Sequence, residues 1–581
     1  MAMLGKKSPQ RGLFDADHLY LDLVGKDTFY GFLALHRDEL FHDEDFAHLY
    51  CADNGRGSVP PSLLAIAMLL QTFDKVSDEE AKARADFDVR WKVALGLRVD
   101  EHPFAKSTLQ LFRAHLVLHE DAQRVFRRSL ELARKHGLMR RRKIKVALDT
   151  SAILGRGAVK DTYNLLADGI LMLARALAGI AGADVEVWAG GQGLARYFGS
   201  SLKGEAQIDW GDEHARRVFL NEVVTDADGL LQKAREALET PIDEGSRKRL
   251  CTSAELLEQL LLQDIERLPD GATIKQGVSR DRKVSVHDPE MRHGHKSKTR
   301  RFNGHKMAVA VDTESQVITA VDVLPGNAPD NQGALELVQQ SEKNADADVE
   351  ETIADNAYGD GLTRQDFAEA GRTLIARVPK RPRQTHLAKE DFCIDLEAMT
   401  CTCPGGQVTK KLIRRGRHKN RRGKEEQRLA FQFDGKICAH CPLQASCVKG
   451  KSGQGRSVSL HPQEALLQEA RVFQHSEAYA PYRKLRQVAE HRLARLMQLG
   501  ARKARYFGRQ KTLFQLLMAA TVANLHLVAT RIAQGEGLGG DGGHPSFIHA
   551  PLFALIRACS QCFLALFLAQ PIQRWTFRLG F

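Results

Sequence analysis

Apolar residues follow two rhythms along the chain, and the switch between them sets the expected architecture. From residue 15 to about 135 the spacing is helical. Pro60-Pro61-Ser62 precedes the apolar run Leu63-Leu-Ala-Ile-Ala-Met-Leu-Leu70, which predicts a helix with proline in its first turn. Ser77-Asp-Glu-Glu80 and Ser107-Thr-Leu-Gln110 each place a hydroxyl three residues before Glu or Gln, the spacing of a capping box. The rhythm becomes strand-like at Ile144-Lys-Val-Ala-Leu-Asp149 and returns to mostly helical from about Val159 to Leu268.

Strand signals reappear in His305-Lys-Met-Ala-Val-Ala-Val-Asp312 and Val317-Ile-Thr-Ala-Val-Asp-Val-Leu324. Thr313-Glu-Ser-Gln between them predicts a hairpin turn, and Pro325-Gly326-Asn327 closes the second strand. Residues 333–340 look helical, then Glu351-Thr-Ile-Ala-Asp355 and Thr373-Leu-Ile-Ala-Arg-Val378 read as short strands. Without the long helical insert the order is strand, hairpin, helix, strand, strand, the order of an RNase H-like sheet. The expected class is α/β of the α+β kind: a mixed RNase H-like sheet with a helical N-terminal domain, a helical insert and a Cys-rich insert. The boundaries are 15–135 for the helical domain and 140–380 for the first part of the core, with its insert at about 159–300. The Cys-rich basic insert follows over 381–460, the C-terminal core helices over 461–534, and a Gly-rich linker with an apolar tail over 535–581.

Length fits this division, since 581 residues at roughly 150 per domain give three or four units. The 43% hydrophobic and 27% charged residues are ordinary for a globular protein. Charge adds more: a net +12 and a pI of 9.2 favour a polyanionic partner. The basic residues cluster. Residues 134–145 hold seven Lys/Arg and no acid, among them Arg141, Arg142 and Lys143; residues 410–424 hold nine more, including Arg414 and Arg415. A solvated face is the usual fate of such runs, but two in a basic chain favour phosphate contacts. The N-terminal helices then read equally well as a DNA-binding head or as a packing domain. Met1-Ala-Met-Leu-Gly-Lys-Lys lacks the apolar core of a secretion signal, so the expected location is cytoplasmic, with no membrane association.

Three segments each place one carboxylate where an apolar strand or a helix can present it: Asp149, Asp355, and Glu490 in Tyr482-Arg483-Lys-Leu-Arg486-Gln-Val-Ala-Glu490. In an RNase H-like sheet the first and fourth strands are neighbours, so Asp149 and Asp355 would meet, and a helix across the sheet would bring Glu490. Two Asp and one Glu suit a pair of Mg²⁺ ions, which take oxygen ligands and keep waters. Two such ions ~3.5–4 Å apart activate an attacking oxygen and stabilise a leaving one in phosphodiester chemistry. Strand position alone does not single these residues out, because Asp312 and Asp322 end or interrupt strands in the same way. Tyr482, Arg486 and Glu490 fall four residues apart and line one helix face, fit to hold a phosphate and a displaced base.

The same segments carry a resemblance. Asp149-Thr-Ser-Ala-Ile-Leu-Gly-Arg-Gly-Ala-Val-Lys-Asp161-Thr-Tyr, Gly304-His-Lys-Met-Ala-Val-Ala-Val-Asp312, Asp355-Asn-Ala-Tyr358, Glu490-His-Arg-Leu-Ala-Arg495 and Ala504-Arg-Tyr-Phe-Gly-Arg-Gln-Lys511 resemble bacterial insertion-sequence transposases of the DDE class. The similarity is to the group whose third acid lies in a Tyr-Arg-Glu-Lys signature. Gly55-Arg-Gly-Ser-Val-Pro-Pro61 and Asp86-Phe-Asp-Val-Arg-Trp91 resemble that family's helical N-terminal domain. The resemblance implies Asp149, Asp355 and Glu490 as ligands of two Mg²⁺ (or Mn²⁺) ions. It also implies double-stranded DNA as partner, both terminal inverted repeats and target, and a homodimer in the synaptic complex. The implied activity is cutting at the element's ends and joining them to target DNA. The signature's Lys seven positions after Glu is Met497 here, and Lys503, Arg502 or Arg505 are candidates to replace it. Two rivals share these features: an RNase H-like nuclease or resolvase without strand transfer, and a non-catalytic DNA-binding derivative.

Of ten cysteines, six fall between Cys393 and Cys447. Cys438-Ala-His-Cys441, with Cys447 after it and Cys401-Thr-Cys403 before it, is a candidate structural Zn²⁺ site, Cys438 and Cys441 forming one knuckle. Buried thiols acting as small apolar residues are the alternative.

Overall fold

The computed structural model describes residues 4–535 apart from 8–11, 13, 52–56, 280, 297–298, 380–385, 421 and 449–454. The apolar tail and all but the first residue of the linker expected over 535–581 lie outside the described residues.

The N-terminal helices are α1 (Ala16–Val24), α2 (Phe29–Leu40), α3 (Pro61–Asp74), α4 (Asp78–Phe87), α5 (Val89–Leu95), α6 (Lys106–Leu118) and α7 (Ala122–Lys135). α3 starts with Pro61 in its first turn, as expected, and α4 is capped by Ser77, whose hydroxyl accepts from Glu80 N. The box expected at Ser107 does not form, because α6 begins two residues earlier than that cap would set, with Ala105 as its N-cap. Phe104 and Leu109, both buried, occupy the positions of a hydrophobic staple and fix that entry instead.

The first strand, β1 (Lys143–Leu154), is followed by the insert: α8 (Thr162–Ile180), α9 (Val185–Gly191), α10 (Leu202–Glu205), α11 (Glu213–Leu238), α12 (Glu244–Asp264), β2 (Ile265–Leu268) and β3 (Gly271–Ile274). Its helices close on an apolar cluster of their own, from Tyr163 to Val286, and the β2–β3 hairpin at its end carries no sequence signal that set it apart from the helices. The sheet resumes with β4 (Arg292–His295), β5 (Arg301–Asp312), β6 (Ile318–Pro325), α13 (Ala334–Ala345), β7 (Asp348–Ile353), α14 (Gly361–Glu369) and β8 (Thr373–Ile375).

Strand order is β6-β5-β1-β7-β8, with β4 against the first residues of β5. β6, β5 and β1 are antiparallel neighbours, and β7 and β8 continue parallel to β1. This mixed sheet is RNase H-like. The strand signals were right in kind, and α14 was hidden because β7 and β8 are three to six residues long and close in sequence.

The Cys-rich segment folds into two small antiparallel sheets. β9 (Cys393–Asp395), β10 (Thr400–Thr402) and β11 (Val408–Thr409) form one; β12 (Leu412–Lys419), β13 (Glu425–Gln432) and β14 (Ser457–Leu460) form the other. The short helices α15 (Gly435–Ala439) and α16 (Gln444–Cys447) lie between β13 and β14. The chain then returns to the sheet through α17 (Glu464–His475), α18 (Ala480–Leu496) and α19 (Arg509–Ala533).

α19 explains why α3 is buried along nearly its whole length. It packs against α3 and α7 on one side and β6 on the other, so one apolar core runs from the N-terminal helices through β1, β5 and β6 to α18. Asn524 fixes the contact: its side chain accepts from Ile318 N (2.9 Å) and donates to Ile318 O (2.9 Å). Among the described residues two helices, α8 and α19, are long and apolar enough to cross a membrane, and both are packed into these cores.

Candidate active site

β1 and β7 run parallel with Ala147 opposite Ile353. Side chains alternate faces along a strand, so two residues further on Asp149 and Asp355 leave the same face at the same level. Asp355 falls just past β7, where it caps the short turn Asn356–Tyr358 and accepts from Ala357 N at 2.8 Å. Asp149 is half-buried on β1 and accepts from Thr150 N at 2.8 Å.

Glu490 reaches these carboxylates from α18, which packs across β1, β5 and β7. Ala489, Leu493 and Leu496 bury one side of that helix, leaving Glu490 exposed. One turn before it, Arg486 Nη1 lies 2.6 Å from Glu490 Oε1. A further turn back, the Tyr482 hydroxyl donates to Glu351 Oε1 (2.9 Å), whose other oxygen meets Lys145 Nζ (2.7 Å). The face expected to hold a phosphate is thus partly closed: Tyr482 is tied to β7, and Arg486 neutralises Glu490.

The electrostatics set this cluster apart. Burial, with the charges of Asp355 and Glu490, pushes the Asp149 carboxyl up to about 6. Asp355 is raised by burial and by the charges of Asp330 and Glu490. Arg486 opposes both shifts. Packing like charges in a half-buried site leaves negative potential that a divalent cation would satisfy, and the donors are all oxygens, as Mg²⁺ prefers.

Two residues that the sequence did not single out join the cluster. Tyr358 is buried, and its phenol is held protonated by burial and by the charges of Asp149, Asp330 and Asp355. Asp330 sits in the loop after β6 and is held by Lys306 of β5, with Nζ 2.7 Å from Oδ1. The sequence signal for Asp330 was only an acid in a Pro-Asp-Asn turn, which usually marks a turn residue.

The other candidates scatter. Arg141 and Lys143 lie at the start of β1, roughly 20 Å or more before Asp149 at strand rise, and pair with Glu314 (3.3 Å) and Glu350 (3.3 Å). Arg142 is exposed beside them. Gly500, at φ 91°, turns the chain after α18 so that Arg502–Ala504 runs along the end of β1, Leu154 N donating to Arg502 O (2.9 Å) and Ala504 N to Leu154 O (2.7 Å). This exposes Lys503 beside Leu154, five residues beyond Asp149 on β1 (roughly 16 Å at strand rise), whereas Met497 packs against the core. Arg505 turns inward, donating to Val76 O (3.0 Å) and Asp78 Oδ1 (3.3 Å). Arg414 and Arg415 are exposed on the β12–β13 hairpin.

Among the cysteines, Cys403, Cys438, Cys441 and Cys447 line one cavity of about 110 Å³. Cys401 points elsewhere, buried beside Phe392, Ile394 and Phe431, where burial pushes its thiol up to about 11. The four cavity thiols have the donor chemistry of a structural zinc site, but they are not drawn tightly together: among the described residues, the one group of three ligand atoms within 4.8 Å of one another is His36, Glu39 and His136.

The fold defines an RNase H-like protein whose sheet gathers acidic side chains beside one long helix. Residues 275–525 match the family model described as Transposase DDE domain, and residues 19–115 match that described as Transposase domain (DUF772). The first match runs from before β4 into α19, includes Asp355 and Glu490, and begins after β1. No curated protein matches the chain. The chain belongs to the insertion-sequence transposases of the DDE class, a family of DNA-binding transposition enzymes that work with a divalent metal.

Proposed function

We propose that this transposase cuts DNA at the ends of its insertion sequence and joins the freed ends to target DNA, with Asp149, Asp355 and Glu490 holding two Mg²⁺ (or Mn²⁺) ions. The observation that carries the reading is the β1–β7 register, which sets Asp149 and Asp355 level on one face beneath the helix of Glu490. Bound metal would supply an activated oxygen nucleophile and charge stabilisation for the leaving 3′-oxygen. The chain's residues provide the rest. Asp149 and Asp355 accept metal from a rigid sheet, so their geometry is set before DNA arrives. Glu490 gives up its ion pair when it ligates, and that frees the Arg486 guanidinium for a DNA phosphate. Lys503, exposed beside the end of β1, is the proposed replacement for the family's signature Lys. Arg414 and Arg415 on their hairpin are proposed contacts to the backbone of terminal-repeat DNA, and the four cavity cysteines a structural zinc site.

The first reaction places a water oxygen on the phosphorus and breaks its bond to the 3′-oxygen, releasing a 3′-hydroxyl. The second places that 3′-oxygen on a target phosphorus, breaks the bond to the target's own 3′-oxygen, and releases it as a hydroxyl that takes up the proton lost by the attacking group. Two such ends must be held together, which a homodimer would do. The test uses uncut and pre-cut DNA ends with a target duplex and Mg²⁺. Strand joining that disappears in Asp149→Ala supports the reading. Cutting without joining favours a nuclease, and salt-sensitive binding without Mg²⁺-dependent turnover favours a non-catalytic DNA-binding protein.

A further inference from the structure

Far from the carboxylates, α2 and α7 bring a second set of metal-ligating groups together. His36 and Glu39 are one turn apart on α2, and His136 follows the last residue of α7. One ligand atom from each lies within 4.8 Å of the other two. His36 Nδ1 and His136 Nε2 are both buried and neither has a hydrogen-bond partner. Leaving a buried polar nitrogen without a partner is costly, so two in one cluster of ligand groups call for an occupant.

Glu39 divides its two oxygens in a way that fits. Oε2 is held by Lys135 Nζ at 2.6 Å, while Oε1 faces His36 Nδ1 at 3.5 Å. Zinc bonds of about 2.0–2.1 Å at a tetrahedral angle place neighbouring ligand atoms about 3.3 Å apart. The His36–Glu39 edge is therefore already close to its bound length. His136, within 4.8 Å of both, has to close by at most about 1.5 Å, from a helix end. The rings are also oriented: His36 lies against Phe32, centroids 4.7 Å apart, and meets His136 edge-on at 4.9 Å.

We propose that His36, Glu39 and His136 form a Zn²⁺ site, independent of the carboxylate cluster and of the cysteine cavity. Two imidazoles and a carboxylate suit Zn²⁺ rather than Mg²⁺, which takes oxygen ligands. Lys135 acts in the outer shell, orienting Glu39 through its second oxygen. Three protein ligands leave the fourth position to water. The metal would tie α2 to the C-terminal end of α7, eight residues before β1 begins at Lys143, and so stiffen the link between the N-terminal helices and the strand that carries Asp149.

The test titrates the chelator-treated full chain with Zn²⁺, and with Co²⁺ as an optical reporter, beside His136→Gln and Glu39→Gln. Wild type is expected to take up one equivalent more than either variant, or to bind it at least ~10-fold more tightly. With Co²⁺ that equivalent gives d–d bands without the charge-transfer absorption of a thiolate, which separates it from the cysteines. Zn²⁺ is also expected to raise the thermal midpoint of wild type more than that of the variants. Glu39 is exposed, so Glu39→Gln keeps the fold, as a metal-free midpoint equal to wild type would verify. Equal uptake by wild type and Glu39→Gln, or metal seen only on thiolate, overturns the proposal.

Discussion

Asp78 and Asp149 are both carboxylates partly withdrawn from water, and the protein treats them in opposite ways. Burial alone would raise the Asp78 carboxyl, but hydrogen bonds from Arg113, Gln71 and Gln110 outweigh it and hold the group well below the ordinary range. Arg113 grips both oxygens (2.7 and 3.1 Å), Gln71 and Gln110 add bonds of 2.8 and 3.0 Å, and Arg505 approaches at 3.3 Å. Asp149 has one backbone donor, two acidic neighbours and a single opposing arginine, and its carboxyl rises to about 6. A buried charge that is fully paired is structural, joining α3, α4, α6 and the loop after α18. A buried charge left short of partners marks a place where something else binds.

The comparison breaks most sharply on activity. Alanine at Asp149, Asp355 or Glu490 is expected to lower Mg²⁺-dependent end cleavage roughly 10³-fold or more, while binding of end-containing DNA persists. Asp78→Ala should do the reverse. It leaves Arg113 and Gln71 without their acceptor and should cost about 2–4 kcal/mol of stability in denaturant unfolding, with little change in turnover per folded molecule. Equal losses of activity from both substitutions would erase the distinction.

Acid sharpens it. The folded-state pKa of Asp78 is depressed, so its stabilisation is full above the ordinary carboxyl value and is lost as pH falls through the folded value. The acid limb of wild-type stability should therefore be steeper than that of Asp78→Asn. Asp149 has the opposite sign. Its folded pKa of about 6 lies above the ordinary 3.8, so its charge destabilises the metal-free protein above about 6 and is neutral in both states below about 4. Asp149→Asn should thus stabilise the metal-free chain by about 1–3 kcal/mol at neutral pH and by nothing at acid pH. Added Mg²⁺ should raise the thermal midpoint of wild type and not of this variant.

How much of this was legible in sequence follows from what each feature depends on. The sheet order could be read because apolar alternation survives in β1, β5 and β6, whose faces are buried along their length. The small sheets of the Cys-rich segment could not, because β9 to β11 are two or three residues long and β12 is mostly exposed, so burial imposes no alternation on them. Asp149 and Asp355 could be suggested but not separated from Asp312 by position. Asp312 turns out to be buried in the hairpin, accepting from Ser315 N (3.0 Å) and serving the turn alone. Register between strands 200 residues apart makes the difference, and no local pattern encodes it. The inward turn of Arg505 was equally hidden, since its partner Asp78 lies in the N-terminal helices.

The smallest expected effects concern cations, where the same contrast applies with signs reversed. Arg141 and Lys143 have glutamate partners and lie at the start of β1, whereas Arg414 and Arg415 stand exposed on the edge strand β12 of a three-stranded sheet. An arginine that neutralises a phosphate releases counterions, so its removal should lower the salt slope of DNA binding by about 1 and weaken binding alike for all sequences. Arg414→Ala and Arg415→Ala are expected to show that change in titrations with end-containing DNA across a salt series. Arg141→Ala should leave the slope unchanged, because that guanidinium must first give up Glu314 to reach a phosphate. A lower slope for Arg141→Ala with none for Arg414→Ala would move the DNA path from the hairpin to the start of β1, away from the carboxylates.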